Sequence, residues 1–352
     1  MVPALLSLFA ILLHLSTGAA QPAAEPPYDA AVRSYQRTGG LTEASAALDG
    51  WTRDDFETAV DTVMSTGDEQ QLESAAVFHL EVAVGLAPAS PDGAMLHVRL
   101  GERLVANGLL GARTAGAEDG VFAARWFSAA ASVFLAQTDT VRSRAVVERA
   151  LRVAPAAAYL HVVAGEVEEL EALQQDGDIA QDGRGSQRRM LIAARASMEA
   201  LARLSLAERA YRQAVRLDPA LVRAQVRLGR VLFLRDEPEA TAWLERGLAA
   251  AGVRTDRVLA LLFLSDARAH AGRGDDARGL LAEARALAPG AQAPWLALAQ
   301  LEELSGHPAA ARSIVREALT TAAPVADDPW IDYRGGALNQ EALAWLRSRV
   351  RR

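Results

Sequence analysis

Residue types that carry out catalysis are unevenly supplied in this chain. Its 352 residues include no Cys, and because no Lys occurs either, all 37 positions counted as Lys or Arg are Arg. Without Cys the chain cannot form disulfides, iron–sulfur clusters or a thiol nucleophile. Without Lys it lacks the amine of Schiff-base enzymes and the lysine of a phosphate-binding loop. These absences remove several large classes of enzyme at once.

Histidine, serine and glycine form no familiar catalytic motif. No pair among the six His has the His-Glu-x-x-His spacing of a zinc hydrolase, no Ser lies in a Gly-x-Ser-x-Gly turn, and no Gly-x-Gly-x-x-Gly follows a strand pattern. We therefore expect no catalytic residue, no metal site, no cofactor and no enzymatic activity.

Two acidic stretches could in principle attract cations. Residues 176–186 (DGDIAQDGRGS) have the Asp spacing of a calcium loop, but Ala180 stands at the third ligand position and no Glu closes the loop. We interpret them as an exposed insertion. The other stretch is interpreted as the solvated face of a helix and consists of Glu166, Glu168, Glu169 and Glu171.

The N-terminus has the pattern of an export signal. An apolar run from Val2 to Leu15 is followed by small residues, with Gly18 and Ala20 placed as signal peptidase requires. We predict a signal peptide over 1–20, a Pro-rich spacer over 21–28, and a mature chain that is periplasmic or secreted. The run is shorter than the roughly 18 residues of a spanning helix, and its retention as an anchor is the alternative. Abundant Ala and Arg without Lys are typical of a GC-rich bacterial genome.

The composition favours helices joined by short turns. The chain is 51% hydrophobic and 5% aromatic, and Ala, Leu and Arg, its commonest residues, all favour helix. Apolar residues recur at helical spacing, as from Leu217 to Leu232, and no period-two strand pattern is found. We predict an all-α fold in which Gln187 to Leu217 form one long helix.

An internal repeat of small and bulky residues runs through the chain. Each copy has a small residue, then a bulky residue one helical turn later, then a second small residue one turn after that, and finally a Pro, as in Ala207, Tyr211, Ala214 and Pro219. Small residues let two helices approach closely, and Pro ends the helix. Copies begin at Ala76, Ser143, Ala207, Ala277 and Ala311, of which the second is weaker and the last has its Pro one place late. The preceding helices carry Gly101, Gly165 and Gly229, where we expect close helix contacts.

This ladder resembles the tetratricopeptide repeat (TPR), a helix–turn–helix unit of roughly 34 residues. The match is best from Ala207 to Ala323, where Trp295, Leu298 and Ala299 occupy first-helix positions of the repeat. The resemblance implies a right-handed α-solenoid of TPR-like helical hairpins. In such a solenoid the first helices line a concave face that binds peptides or partner helices.

The frame of the repeat places a candidate partner-binding set on this concave face. The set consists of Arg223, Val226, Arg227, Arg230 and Phe233. Three Arg beside apolar groups could hold a carboxylate-bearing peptide through bidentate hydrogen bonds. The family's carboxylate clamp, however, relies on Lys and Asn at such positions, and neither residue type stands at these five. The alternative is that these arginines are solvated and paired with nearby Glu.

The repeat frame also divides the chain into segments. We predict degenerate hairpins over 29–155, a helix with the insertion and the start of the long helix over 156–206, TPR-like repeats over 207–324, and an aromatic connector with a capping helix over 325–352. A cap covers the last apolar face of a repeat array. The residues predicted to pack there are Trp330, Tyr333, Leu343 and Trp345.

These observations favour a protein-interaction function. The net charge of −7 argues against nucleic-acid binding, and no second long apolar segment predicts a membrane span in the mature chain. We predict an exported, non-catalytic scaffold that binds a protein or peptide partner, in an oligomeric state that the sequence does not define. The alternatives are a self-associating structural component of an envelope complex, and a small-molecule or enzymatic role in residues 176–217.

Overall fold

The computed structural model describes residues 26–46, 48–111, 117–181, 187–321, 328–336 and 338–351. Every regular element in these ranges is a helix, and none of these residues lies in a strand. This confirms the predicted all-α fold class. The signal peptide predicted over 1–20 and most of the predicted spacer lie outside the described residues.

The chain forms two compact units, which are described separately. The first unit contains residues up to Phe134 together with Arg152–Ala154 and residues from Leu338 onward. Its helices are α1 (Pro27–Thr38), α2 (Leu41–Ala46), α3 (Arg53–Thr66), α4 (Glu69–Leu86), α5 (Pro91–Arg103), a π-helical segment (Leu104–Leu109), α6 (Ala117–Leu135, whose last residue is assigned to the second unit) and, from the other end of the sequence, α17 (Gln340–Val350).

The second unit contains Leu135–Leu151 and Pro155–Ala337. Its helices are α7 (Thr140–Val153, most of which belongs here), α8 (Ala158–Gln181), α9 (Gln187–Leu217), α10 (Val222–Leu234), α11 (Ala240–Ala250), α12 (Arg254–His270), α13 (Gly274–Leu287), α14 (Ala293–Leu304), α15 (Pro308–Thr321) and α16 (Pro329–Gly335). The long helix predicted from Gln187 to Leu217 is confirmed as α9.

Consecutive helices of the second unit pack as hairpins. The pairs are α8 with α9, α10 with α11, α12 with α13, and α14 with α15, and each hairpin also packs on the next. The first helices contact one another in order, so that α8, α10, α12 and α14 form one layer. This arrangement confirms the TPR-like solenoid class that the repeat ladder predicts.

The small residues of the ladder lie at the helix contacts, as predicted. Ala207, Tyr211 and Ala214 of α9 are all fully buried, in a core that α8, α9 and α10 share. A Cβ added to Gly165 of α8 would lie 2.5 Å from a ring carbon of Tyr211. Because real contacts are essentially never so short, Gly at this position is what lets α8 approach the Tyr211 ring.

The structure differs from the sequence prediction at the Gly- and Asp-rich stretch. Residues 176–181 continue α8 to Gln181 rather than forming a loop, and the remaining insertion residues, 182–186, lie outside the described residues. Gly177 is tolerated inside a helix at a cost of about 1 kcal/mol relative to Ala, so its presence does not by itself end α8.

The C-terminal helix also differs from the prediction, because α17 belongs to the first unit and not to the end of the repeats. Leu343 is buried there, and the Trp345 ring lies 6.4 Å from that of Phe122 in α6. Arg347 and Arg349 of α17 form ion pairs with carboxylates of α4. The helix that we predicted as a cap for the last hairpin therefore packs in the first unit. It does so because α6 offers it an apolar surface and α4 offers carboxylates for its arginines.

Within the described residues, no helix is both long and apolar enough to cross a membrane.

A buried hydrogen-bonded chain joins three helices of the first unit. The Tyr28 hydroxyl of α1 lies 3.0 Å from Nε2 of His79 in α4, and Nδ1 of His79 lies 2.9 Å from Nδ1 of His97 in α5. The Phe56 ring of α3 closes over His97 at 5.0 Å. Sequence spacing did not predict this His pair, because 18 residues separate its members.

The imidazoles of His79 and His97 are both neutral at neutral pH. Burial lowers the pKa of His97 from 6.5 to about 4. Burial and, secondarily, the adjacent His97 lower the pKa of His79 well below its ordinary value. The short contact between the two Nδ1 atoms also excludes a doubly protonated pair, since one atom must donate and the other accept.

We expect the first unit to lose stability as the pH falls. The folded pKa of His97 is depressed, so its contribution is fully present above the unfolded value of 6.5 and is lost as the pH falls toward about 4. Between about pH 7.5 and about pH 5, His97 alone lowers the free energy of unfolding by about 2 kcal/mol. Hydrogen exchange of peptides from α4 and α5, corrected for the intrinsic rate, measures this loss.

Helix α12 of the second unit serves as the internal reference. His97→Asn keeps an acceptor for His79 but cannot titrate, so it should reduce the pH dependence of α4 and α5 to the part that His79 contributes. Protection that falls equally in α4 and α12, with or without the substitution, would contradict this account.

Candidate protein-binding face

Two acidic residues of α8 lie one turn apart and face α10. The Nε of Arg223 donates to Oε1 of Glu166 at 2.6 Å, and the Nη1 of Arg227 donates to Oε2 of Glu169 at 3.2 Å. Arg227 also lies 3.3 Å from Glu166 and so bridges both carboxylates. These ion pairs fasten the first helices of two successive hairpins to each other.

Glu169 is the most enclosed carboxylate of this face, with only 1% of its surface exposed. The hydroxyls of Tyr211 in α9 and Tyr333 in α16 each donate to it at 2.7 Å, one to each oxygen. Together with Arg227 they supply three donors from three different helices. A buried carboxylate needs such partners, because an unpaired charge in the interior is costly.

The pKa values of the groups around Glu169 are displaced in the direction of this pairing. Burial alone would lower the pKa of Arg227, but the carboxylates of Glu166 and Glu169 outweigh burial and raise it above its ordinary value. Burial, with the charge of Glu169, raises the pKa of both Tyr211 and Tyr333. The phenols therefore stay protonated and the guanidinium stays charged, as the hydrogen bonds require.

Arg230 anchors the neighbouring part of the face. Its Nη1 donates to Oδ2 of Asp266 in α12 at 2.9 Å. Its guanidinium carbon lies 4.9 Å from the ring centre of Phe263 and 5.9 Å from that of Trp330 in α16. Stacking on aromatic faces suits the planar, weakly hydrated guanidinium.

Helix α16 lies against this layer of first helices. Its Tyr333 ring lies 4.9 Å from Phe263 of α12 in an edge-to-face contact, and Arg227 of α10 lies 4.6 Å from the same Tyr333 ring. Tyr333 also reaches Glu169 of α8. The chain's own α16 thus contacts α8, α10 and α12, on the face where the repeat frame predicts a partner.

The structure places the five predicted site residues as follows. Val226 is buried in the core, and the guanidinium groups of Arg223, Arg227 and Arg230 are each paired with a carboxylate of this chain. Phe233 packs partly buried at the end of α10, with the His270 ring 5.9 Å away. Partner contact by these residues remains a prediction. The alternative of solvated arginines paired with Glu holds only in part, because Arg227 and Arg230 are buried and Arg230 pairs with Asp266.

The interpretation of the α8 glutamates as a solvated face is wrong. Glu166 and Glu169 are buried, and the other two side chains are largely covered by arginines of α7 and α9. Arg144 and Arg203 each pair with both Glu168 and Glu171. Acids one turn apart on α8 share their neighbours, since Glu166 and Glu169 face α10 while Glu168 and Glu171 face arginines of α7 and α9. The Arg content of the flanking helices was the sequence signal that could have indicated this pairing.

Beside α16 an open groove of about 820 Å³ runs along the first helices. Its lining combines small residues with bulky apolar side chains. The small residues include Ser265, Ala269, Gly272, Ala277, Ala293 and Ala297, and the bulky ones include Phe233, Leu262, Leu296, Leu304, Trp330 and Ile331. Arg230 and Phe233 of the predicted set line this groove, and so does Asp266.

One buried carboxylate fixes the end of the groove where α14 begins. Oδ2 of Asp328 accepts hydrogen bonds from the backbone N–H groups of Gln292 and Ala293, at 2.8 and 2.9 Å. Its Oδ1 accepts from the N–H of Trp330 at 3.0 Å. Asp328 therefore caps α14 and α16 together and ties the starts of the two helices to each other beside the groove.

Across the ranges that the structure describes, His, Asp and Glu nowhere form a group of three that could hold a metal ion.

Comparison with known proteins assigns no family to the chain. No family model matches it, and no curated protein matches it.

Solved structures of TPR-type helical-repeat proteins share low similarity with it. Yeast Tom70 is 12% identical with a TM-score of 0.38, over 98% of this chain and 69% of that one. The human IFIT1 dimer with m7Gppp-AAAA is 14% identical with a TM-score of 0.33, over 83% and 67%. The Cut9-Hcn1 hetero-tetramer of the APC/C is 15% identical with a TM-score of 0.34, over 91% and 64%. Likenesses at this level assign no partner to the chain.

Replacing Arg227 and Arg223 by Ala should have unequal effects on stability. Arg227→Ala leaves two buried carboxylates without their shared cation and should lower the free energy of unfolding by about 3 kcal/mol. Arg223→Ala is the matched control, because Arg223 pairs with the same Glu166 from the same helix but has a side chain 32% exposed. Its loss should cost less than about 1 kcal/mol. Urea unfolding followed by circular dichroism measures both, and equal effects would refute the role given to Arg227.

Proposed function

We propose that the chain is a non-catalytic protein-interaction scaffold whose groove on α10, α12 and α14 binds an amphipathic helix of a partner protein. The observation that carries the proposal is the groove beside α16, because it leaves large apolar side chains in contact with water. Leu304 is 79% exposed, Leu296 is 51% exposed and Ile331 is 41% exposed. Contiguous exposed apolar surface is typical of an interaction site.

A helix suits this groove better than an extended peptide. Leu296, Gln300 and Leu304 succeed one another along one face of α14, and Leu262, Asp266 and Ala269 do so along α12. Two such ridges with small residues between them form the groove into which a third helix packs. The neighbouring α16 gives a precedent within the chain, since it is a helical segment held by the same layer.

The charges of the groove favour an apolar stripe over a carboxylate as the recognised feature. Arg230 is already paired with Asp266, and the more remote Arg227 is paired with Glu166 and Glu169. A partner carboxylate would have to displace an internal one that is within hydrogen-bond distance. We therefore infer a partner helix with Leu, Ile, Met or aromatic residues at three- and four-residue spacing.

The test uses two leucines that are equally exposed but lie on different surfaces. Leu304 lines the groove, whereas Leu319 of α15 does not, and the two are 79% and 80% exposed. A displayed library of amphipathic helical peptides is selected on the full chain, and the best peptide is titrated by fluorescence anisotropy. Leu304→Glu should weaken its binding at least about tenfold, because a charge would enter an apolar contact. Leu319→Glu should leave it unchanged.

Both substitutions replace exposed side chains, so neither should unfold the protein. A peptide whose affinity is insensitive to Leu304→Glu, or a library that yields no binder, would contradict the groove as the binding site. Charge reversal at Arg227 would not serve as this test, because it would disrupt the buried carboxylates rather than a binding surface.

We further propose that the scaffold acts outside the cytoplasm, after export. What supports this is the apolar run from Val2 to Leu15 and the small residues before Gln21. Mass spectrometry of the protein expressed in a bacterial host should find a mature N-terminus at Gln21 in the periplasmic fraction. Substituting Ala20 by Arg should abolish cleavage. An N-terminus that retains Met1 in the cytoplasmic fraction would contradict export.

A further inference from the structure

The last hairpin, α14–α15, exposes an apolar face that the earlier copies of the repeat bury. The bulky residue of the ladder is almost completely buried in the other four copies, at Leu80, Val147, Tyr211 and Leu281. Its counterpart in α15, Val315, is 37% exposed. Leu281 shows what normally covers this position, because it packs in one cluster with residues of the following helix, α14. Among the described helices, α15 has an extensive contact only with α14.

The uncovered face has a groove and a ridge side by side. A shallow groove between α14 and α15 is lined by Ala311, Val315 and Leu319, among others. Leu319, one turn beyond Val315 on α15, is 80% exposed. At the same position relative to the ladder in α9, Val215 is 8% exposed. A row of aliphatic side chains on α15 therefore stands in water where an earlier hairpin buries it.

Charged residues of both signs border this apolar strip. Glu303 projects from α14, and Arg312 and Arg316 lie one turn apart on α15 along the same groove. Elsewhere in the second unit, arginines of adjacent helices are paired with carboxylates. Glu303, Arg312 and Arg316 form no ion pair with any residue that the structure describes, although they border one groove.

From these features we infer that the α14–α15 face binds a second copy of the chain through a two-fold axis. A two-fold axis sets the α15 ridge of each copy into the α14–α15 groove of the other, and Val315 and Leu319 leave water together. The same operation brings Arg312 and Arg316 of one copy next to Glu303 of its partner, twice. The face has apolar residues at its centre and carries both acidic and basic side chains. Two copies of it can therefore pair with each other.

The size of the face sets the strength of this association. Fourteen residues of α15 span about 21 Å, and a face two helices wide therefore offers about 400 Å² per copy. Stable interfaces bury about 800 Å² on each partner. We accordingly expect a reversible dimer that forms at tens of micromolar rather than at nanomolar concentration.

Sedimentation velocity of the full chain between about 1 and about 200 µM tests the inference, since weak interfaces form in this range. The wild-type weight-average mass should rise toward that of a dimer with concentration. Leu319→Glu should weaken the association at least about tenfold. Leu304→Glu is the matched control, because it changes an equally exposed Leu that lies outside this groove. A wild-type chain that stays monomeric over the range would overturn the inference, and so would association that Leu319→Glu leaves intact.

A charge exchange tests the two-fold arrangement itself. Glu303→Arg alone sets like charges against each other twice in a homodimer, and so does the double variant Arg312→Glu/Arg316→Glu. Each variant should be monomeric alone, but an equimolar mixture should associate again, because each copy then meets the opposite charge. Failure of the mixture to associate would overturn the pairing of Glu303 with the two arginines.

The inference does not rest on the proposed partner groove, and the two fail separately. Leu304→Glu should lose the peptide and keep the dimer, whereas Leu319→Glu should lose the dimer and keep the peptide. A variant that loses both activities would show that one surface serves both, which would overturn the assignment of separate faces.

Discussion

The burial of Glu169 is the constraint on which the second unit depends. A carboxylate that is 1% exposed is stable only when charge and hydrogen bonds replace the lost water. Arg227, Tyr211 and Tyr333 supply them from three helices that are up to 164 positions from Glu169 in sequence. A shift of α9, α10 or α16 along α8 would remove one of the donors to this carboxylate. The network therefore selects one register among the many that an Ala-rich helical surface would allow, which is a role that buried polar groups can perform without adding net stability.

This network also explains why the layer of first helices carries both a segment of the chain and an open groove. Tyr333 completes the shell of Glu169, and its helix then directs Trp330 toward Arg230 and Phe263. Ile331, on the other side of the same short helix, turns to the open part of the layer. Asp328, just before α16, caps the start of α14. The same contacts therefore hold α16 and α14, which both line the groove. A partner that enters the groove would meet helices whose backbones are already held together, which reduces the entropy cost of binding.

The sequence was sufficient for the repeating part of the fold but not for contacts between distant segments. The small-residue ladder and Gly165 predicted close hairpins because they are local patterns of fixed spacing. The placement of α17 could not be predicted in this way, since its partners in α4 are set by shape and charge at a separation of 266 residues. The glutamates of α8 were misjudged for a related reason, because periodicity within one helix does not show which neighbours bring arginines. Arg230 and Phe233 line the groove along the first helices, and their contact with a partner stays a prediction. The pairing of the arginines with internal carboxylates could be seen only in the structure.

The membership of α17 in the first unit has a consequence for the order in which the protein folds. Asn339 donates to the hydroxyls of Ser132 and Ser128, and Arg347 pairs with Glu81, so the first unit contains polar groups that find their partners only in the last residues described. Translation reaches these residues after all the other helices that the structure describes. The second unit can therefore pack while the earlier-synthesised one is still unfinished, which reverses the usual N-to-C-terminal order of domain folding. A chaperone that protects the unfinished surface until residue 350 emerges would act on the N-terminal helices rather than on the repeats.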